Sequence, residues 1–259
     1  MSNTTPGTIG DNLSIIWAIT AKDIVDALKN RLVISLVILT SAMLLLPKML
    51  PLILEQPAAA PPPDGTLFLG MATIQAVLMI LLMGIVLVPS LLFEEKQTKT
   101  LQALLVSPAS IGQVVAGKAL AGAFYTLVTA VLIFAIFWTD VIHWAWAVLF
   151  VIGGGAFSVA VGLVLGSFYD KQQDVVGPMA ALVLILVGAL MARLLGVELP
   201  GLVERILSWV PSVALAEVFS AAFSETISVA QVLTNLGLVL AASLPLYALV
   251  IWKVRRSDR

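Results

Sequence analysis

The side chains of this sequence that could do chemistry are few and gathered in a few places. Asp and Glu number 15 and Lys and Arg 14 among 259 residues, so only 11% of the chain is charged. One group is Arg193, Glu198, Glu204 and Glu217, within a single segment. Two carboxylates such as Glu204 and Glu217 could share general acid and base work in a hydrolysis. An arginine paired with one of the three glutamates inside a bilayer would instead form a gate, and at a membrane surface it would be an anchor. His143 is the single histidine and stands between Asp140 and Trp144. One imidazole with one carboxylate is a poor metal set, so no metal site is expected. Trp138, Trp144 and Trp146 around it mark a membrane boundary. There is no cysteine, which excludes disulfides and thiolate chemistry. No Ser–His–acid set and no glycine-framed serine suggests a nucleophile. Gly153-Gly154-Gly155 has no Lys-Ser/Thr after it, so it is no phosphate cradle. Together with Gly162 and Gly166 it fits close helix approach.

The most informative segment is 93–108, FEEKQTKTLQALLVSP. Glu94 and Glu95 stand where an apolar run ends. Leu101, Leu104 and Leu105 follow at i, i+3 and i+4, an apolar stripe on a short helix over 98–107. Pro108 stops that helix. Ser110 to Gln113 reads as a capping box opening the next helix. Such a segment is built to be gripped by something outside the membrane.

The elements that must position these residues are membrane spans. The chain is 60% hydrophobic, with a mean hydropathy of +1.07, far from the composition of a soluble domain. A hydrocarbon core of about 30 Å needs roughly 20 apolar residues. Six runs qualify: 32–54, 67–93, 113–139, 144–169, 175–192 and 226–252. The fold class is therefore an all-α membrane protein, one domain over 1–259. Residues 1–11 lack an apolar stretch behind a basic start, so no cleavable signal peptide is expected and the first span directs insertion. An even span count places both termini on one side. That side carries 11 of the 14 Lys and Arg, which makes it cytoplasmic. Lys118, a turn or two inside the third span, is expected to snorkel to the interface, with a gating role as the alternative. The turn at 169–174 is a short cytoplasmic loop.

Residues 12–30 form an amphipathic interfacial helix, with Trp17, Ala21, Ile24 and Leu28 on one face and Lys22, Asp26 and Lys29 on another. The prolines of 56–64 make a stiff outer loop. Pro200 and Pro211 divide 198–224 into two pieces too short to span, with Ser212 as N-cap of the second. They are read as re-entrant outer helices, with a simple surface loop as the alternative.

The residues Glu95, Thr100, Leu101, Leu104, Leu105, Ser107, Pro108, Gly117 and Lys118 resemble the pattern of the permease subunit of ABC exporters of the second type. Lys99 and Gln102 depart from it, where that family generally has glycine and an acid. Residues 16–31 are similar to that family's N-terminal connecting helix, and the span layout extends the resemblance over nearly the whole chain. The resemblance implies a non-catalytic permease that carries no cofactor itself. ATP and Mg would sit on a separate ABC ATP-binding subunit, present in two copies. It implies a coupling helix at 98–107, with Glu94, Glu95, Thr100, Leu101, Leu104, Leu105 and Pro108 as ATPase contacts and Trp17, Lys22, Asp26 and Lys29 on the helix packed beside it. A second permease copy would complete the path, lined by Met71, Gln75, Met79 and Met83, with lipid around it in a prokaryotic inner membrane and no nucleic acid partner. Apart from the resemblance, Arg193 paired with Glu198, Glu204 or Glu217 is a candidate outer gate if the pair is buried, and a plain interfacial anchor otherwise. An intramembrane enzyme or assembly factor with its site at 198–225 is the alternative, and a passive scaffold a third.

Overall fold

The computed structural model describes residues 9–29, 65–97, 110–137, 141–194, 200–224 and 228–257, with six further helical positions between 34 and 49. Of the expected first span, 32–54, only those six positions are described, and its proline-rich loop and the expected coupling helix at 98–107 lie outside the described residues. Among those described there is no strand. The elements are α1 (Ile9–Lys29), α2 (Gly65–Leu82), a π-helical turn (Met83–Leu87), α3 (Val88–Gln97), α4 (Ile111–Ile136), α5 (Trp144–Phe168), α6 (Gln172–Leu194), α7 (Gly201–Ser208), α8 (Pro211–Ala221) and α9 (Val229–Ser257).

Five helical stretches are long and apolar enough to cross a membrane: Leu69–Glu94, Ile111–Ile136, Trp144–Phe168, Gln172–Leu194 and Val229–Arg256. They coincide with the second to sixth expected spans. The fifth is longer than the expected 175–192, because helix continues into the polar residues Gln172 to Asp174. The capping box forms as expected. Ser110 Oγ accepts from the Gln113 amide at 3.3 Å, and Gln113 Oε1 accepts from the Ser110 amide at 2.8 Å.

Helix α5 is the centre of the bundle and touches α2, the π turn, α3, α4, α6, α8 and α9. Its sequence explains why. Gly154, Ser158, Gly162 and Gly166 recur every four residues along one face. They meet Ile80, Gly84, Val88 and Leu92, also spaced by four, on α2, the π turn and α3. A Cβ on Gly162 would strike the Gly84 carbonyl, and one on Gly166 would strike Leu92. Rows of i, i+4 side chains interlock in this way when one row is small. Without a hydrophobic drive between helices in lipid, this van der Waals fit supplies the attraction. The π turn lies at the tightest crossing, where Gly84 abuts Ser158. Its extra residue widens the helix and re-aims α3 beyond it.

At the end of the bundle nearest the start of α5, α8 wedges among α2, α5, α6 and α9. Ser212 to Ala216, Val218, Phe219 and Ala221 are all buried. Phe219 stacks with Phe150 at 5.1 Å and Phe223 at 4.9 Å between ring centroids. Ser212 does not cap this helix. Pro211 occupies the first helical position, where its fixed φ suits the start of a helix, and Val210 precedes it as the cap. The Ser212 hydroxyl, fully buried, donates to the Leu186 carbonyl of α6 at 2.7 Å. By contrast α7 buries none of its residues, and Leu202, Ile206 and Trp209 stand exposed.

Candidate functional site

The bundle has two polar ends. Lys96, Lys118, Lys171, Lys253, Arg255 and Arg256 gather at one, here the basic end. Arg193, Glu204 and Glu217 mark the other.

At the basic end α1 lies along the first half of α4. Asn12 Oδ1 accepts from Gln113 Nε2 at 2.7 Å. The Thr20 hydroxyl lies 2.8 Å from the Ile16 carbonyl and 3.2 Å from that of Gly117. Tyr125 donates to the Ile24 carbonyl at 2.6 Å. The paired numbers rise together, so the two helices run in the same direction. Gly117 lets Ile16 and Ile19 approach the α4 backbone directly.

The centre of this seam is ionic. Lys118 Nζ donates to Asp23 Oδ2 at 3.1 Å and to the Leu91 carbonyl of α3 at 3.0 Å. Their side chains are 0% and 3% exposed. The expectation that Lys118 snorkels is overturned. An ammonium with three donors finds a carboxylate and a carbonyl within reach, so its charge is satisfied inside the protein and need not return to water. One side chain thereby ties together α1, α3 and α4. Sequence reasoning missed Asp23, although an acid inside the α1 helix and a lysine beside Gly117 were both visible.

The face of α1 that packs on the protein is neither the apolar nor the charged face read from the sequence. Ile19, Thr20, Asp23 and Ala27 are buried, at i, i+1, i+4 and i+8. Trp17 and Leu28 are 67% and 59% exposed, and Ala21 is exposed. Only Ile24 of the expected apolar face is half-buried. The small and polar face goes inward because Gly117 and Ala121 on α4 admit close backbone approach. Of the charged face, Lys22 and Lys29 are exposed and Asp26 is half-buried. Lys22 Nζ lies 3.6 Å from Asp26 and 3.8 Å from Asp23.

Lys96 is held firmly. Its ammonium donates to the carbonyls of Gly166 at 3.0 Å and Tyr169 at 2.6 Å, and reaches Asp170 at 3.4 Å. These carbonyls end α5, where a cation complements the helix dipole. Glu94, exposed, and Glu95 close α3 just before residue 98. Thr100, Leu101, Leu104, Leu105 and Pro108 lie outside the described residues. The described ends of the segment, Gln97 and Ser110, therefore belong to helices α3 and α4 that the Lys118 junction joins.

At the opposite end Arg193 Nη1 binds Glu204 at 2.9 Å and its Nη2 lies 3.6 Å from Glu217. Glu217 Oε2 also accepts from Gln231 at 2.9 Å and Asn235 at 3.1 Å. This clasp joins α6, α7, α8 and α9. Glu198 lies outside the described residues. Arg193 is 46% exposed, so the clasp is not sealed within this chain. Among the described residues no cluster of His, Cys, Asp and Glu could hold a metal.

The four residues expected along a path separate. Met71 is 47% exposed, but Met79 and Met83 are buried at 2% and 1%. A row spaced by four advances about 40° per step on a helix of 3.6 residues per turn. Over three steps it wraps from the outer face of α2 into the chain's own core, where Met79 and Met83 sit. Gln75, half-buried on the Met71 side, has a buried amide oxygen with no hydrogen-bond partner.

Compared with known families, residues 21–252 match the one described as ABC-2 family transporter protein. No match is found among curated proteins. The matched range begins in α1, just before the ionic seam, and ends in the last turns of α9. The chain belongs to the ABC-2 family of transporter proteins.

Proposed function

We propose that this chain is the permease subunit of an ATP-driven exporter, working with two copies of a separate ATP-binding subunit that holds ATP and Mg. Two permease copies enclose the path, both termini face the cytoplasm, and the basic end is the cytoplasmic end of an inner-membrane protein. The reading rests on family membership and on one geometric observation. The Asp23–Lys118–Leu91 junction ties α1 to α3 and α4, the helices on either side of segment 98–107. A push on that segment or on α1 would therefore move as one with the start of α4 and the end of α3. α3 continues through the π turn into α2, which carries Met71 and Gln75. Met71, exposed, and Gln75, half-buried beside it, would face the path. Arg193, Glu204 and Glu217 would close the outer end.

The alternative of an enzyme on 198–225 draws no support from the clasp. Arg193 sits between the two carboxylates, and Glu217 is further held by two amides, so neither is poised to take and give a proton.

Co-reconstitution with the ATP-binding subunit tests the proposal through Glu95, at the junction of α3 and the gripped segment. Glu95→Ala should lower cargo-stimulated ATP hydrolysis severalfold while leaving the thermal unfolding of the permease unchanged. Unaltered stimulated hydrolysis would remove Glu95 from the contact, and hydrolysis that never responds to the permease would remove the proposal.

A further inference from the structure

A groove of about 430 Å³ lies between α4, α5 and α9 at the basic end, and it is open rather than enclosed. Gly112, Ala116 and Ala119 of α4, Leu163 of α5 and Tyr247 of α9 line it, and Arg255 stands at its polar end. Among the described residues no carboxylate lines it. It runs from Arg255 to Tyr247 along α9 and from Gly112 to Ala119 along α4, about 10–12 Å at 1.5 Å per residue. That is most of one leaflet of a hydrocarbon core of about 30 Å. The Tyr247 hydroxyl is already committed to the Ala156 carbonyl at 2.9 Å, so the ring offers the groove an apolar face.

Among the described residues the charges on this turn of α9, Lys253, Arg255 and Arg256, are all positive. Lys253 stacks over Phe168 at 5.4 Å and Arg256 over Trp252 at 5.5 Å. Both cations are thus held at the level where aromatic rings favour the membrane boundary. Arg255, exposed, is the cation of this turn that lines the groove. The positive end of the α4 dipole opens beside it, where Gly112 meets Val254. A slot of small apolar side chains, one leaflet deep and headed by positive charge, matches one ligand class.

We propose that this groove binds an anionic phospholipid of the surrounding leaflet, with an acyl chain along Ala116 and Ala119 and the phosphate at Arg255. The head group brings negative charge to Arg255, and the chain fills the apolar slot. The naming of that leaflet as the inner one rests on the orientation proposed above; the binding does not.

The test is native mass spectrometry of the full-length chain in detergent micelles, offered equal amounts of phosphatidylglycerol and phosphatidylcholine. The wild type should retain phosphatidylglycerol preferentially. Arg255→Gln should lower the ratio of the two bound lipids about fivefold, the worth of one basic residue near an anionic surface, with little change in bound phosphatidylcholine. Ala116→Leu should reduce retention of both by filling the slot. Gel-filtration elution and thermal unfolding check that each variant is folded, and Arg255→Gln decides alone if Ala116→Leu is not. Equal retention of both lipids by the wild type, or an unchanged ratio in Arg255→Gln, would overturn the proposal. So would a loss of oligomer in Ala116→Leu with lipid retention intact, which would make the groove a seat for another helix. None of these outcomes depends on an ATP-binding partner, so they are separable from failure of the transport reading.

Discussion

Asp23→Leu and Lys118→Met, made one at a time, should each destabilise the folded chain by about 3–5 kcal/mol, and the double variant should regain most of that loss. Each single change removes the buried ionic partner of a charge that is 3% or 0% exposed, although Asp23 in Lys118→Met keeps the longer, 3.8 Å contact with the exposed Lys22. The double change replaces an ion pair with two apolar side chains of similar length, which a buried site generally tolerates. The Leu91 carbonyl loses one donor in every variant that lacks Lys118, so the recovery should be incomplete by roughly 1 kcal/mol. Thermal unfolding in detergent, followed by the elution profile, reads all four states of the cycle. Single variants as stable as the wild type would mean that the ammonium reaches solvent after all. The same cycle measures whether the seam carries coupling. With the fold restored, the double variant keeps α1 on α4 through Asn12–Gln113, Thr20–Gly117 and Tyr125–Ile24, but loses the hydrogen-bonded tie to α3.

Leu105→Asp should abolish co-purification of the ATP-binding subunit, a loss of at least about a thousandfold in affinity. A leucine removed from an apolar docking groove forfeits about 2–3 kcal/mol. The carboxylate put in its place must also be desolvated without a partner, which adds a few kcal/mol more. Each 1.4 kcal/mol is a factor of ten. The permease itself should unfold at the wild-type temperature, because the described contacts that hold α1 to α9 together are made by other residues. Leu101→Asp and Leu104→Asp belong to the same stripe and should behave alike, whereas Gln102→Asp, off the stripe, should leave the complex intact. A complex that survives Leu105→Asp would place the grip elsewhere on this end.

For the five described spans the sequence showed where they lie but not which way they face. Spans 111–136 and 144–168 fall within three residues of expectation, because length and hydropathy decide them locally. The Ser110 capping box and the Gly154–Gly166 stripe were legible for the same reason, since each is a short-range pattern with one physical use. Facing was not legible. A helix apolar on all sides carries no periodicity that separates lipid from protein, so Met79 and Met83 could not be told from Met71. On α1 the amphipathic pattern held, with Trp17 and Leu28 turned out from the protein as an interfacial helix requires, but that Thr20, Asp23 and Ala27 would meet Gly117 and Ala121 was not legible. The partner of Lys118 lies 95 residues away, and no local rule pairs them. The burial of α8 escaped for a related reason: its alanines and valines fit a surface loop or a core equally well until Phe134, Phe150 and Phe219 are seen to converge.

The central claim is that an ATP-hydrolysing partner grips this chain at the segment joining α3 and α4. A photo-crosslinking side chain at Leu104, irradiated in the assembled transporter in its native membrane, tests it most directly. The account predicts an adduct with a chain that carries a nucleotide-binding P-loop, and none from the same probe at Trp209 on the opposite end. An adduct with lipid alone at Leu104, Leu101 and Leu105, or a P-loop adduct from Trp209, would contradict it.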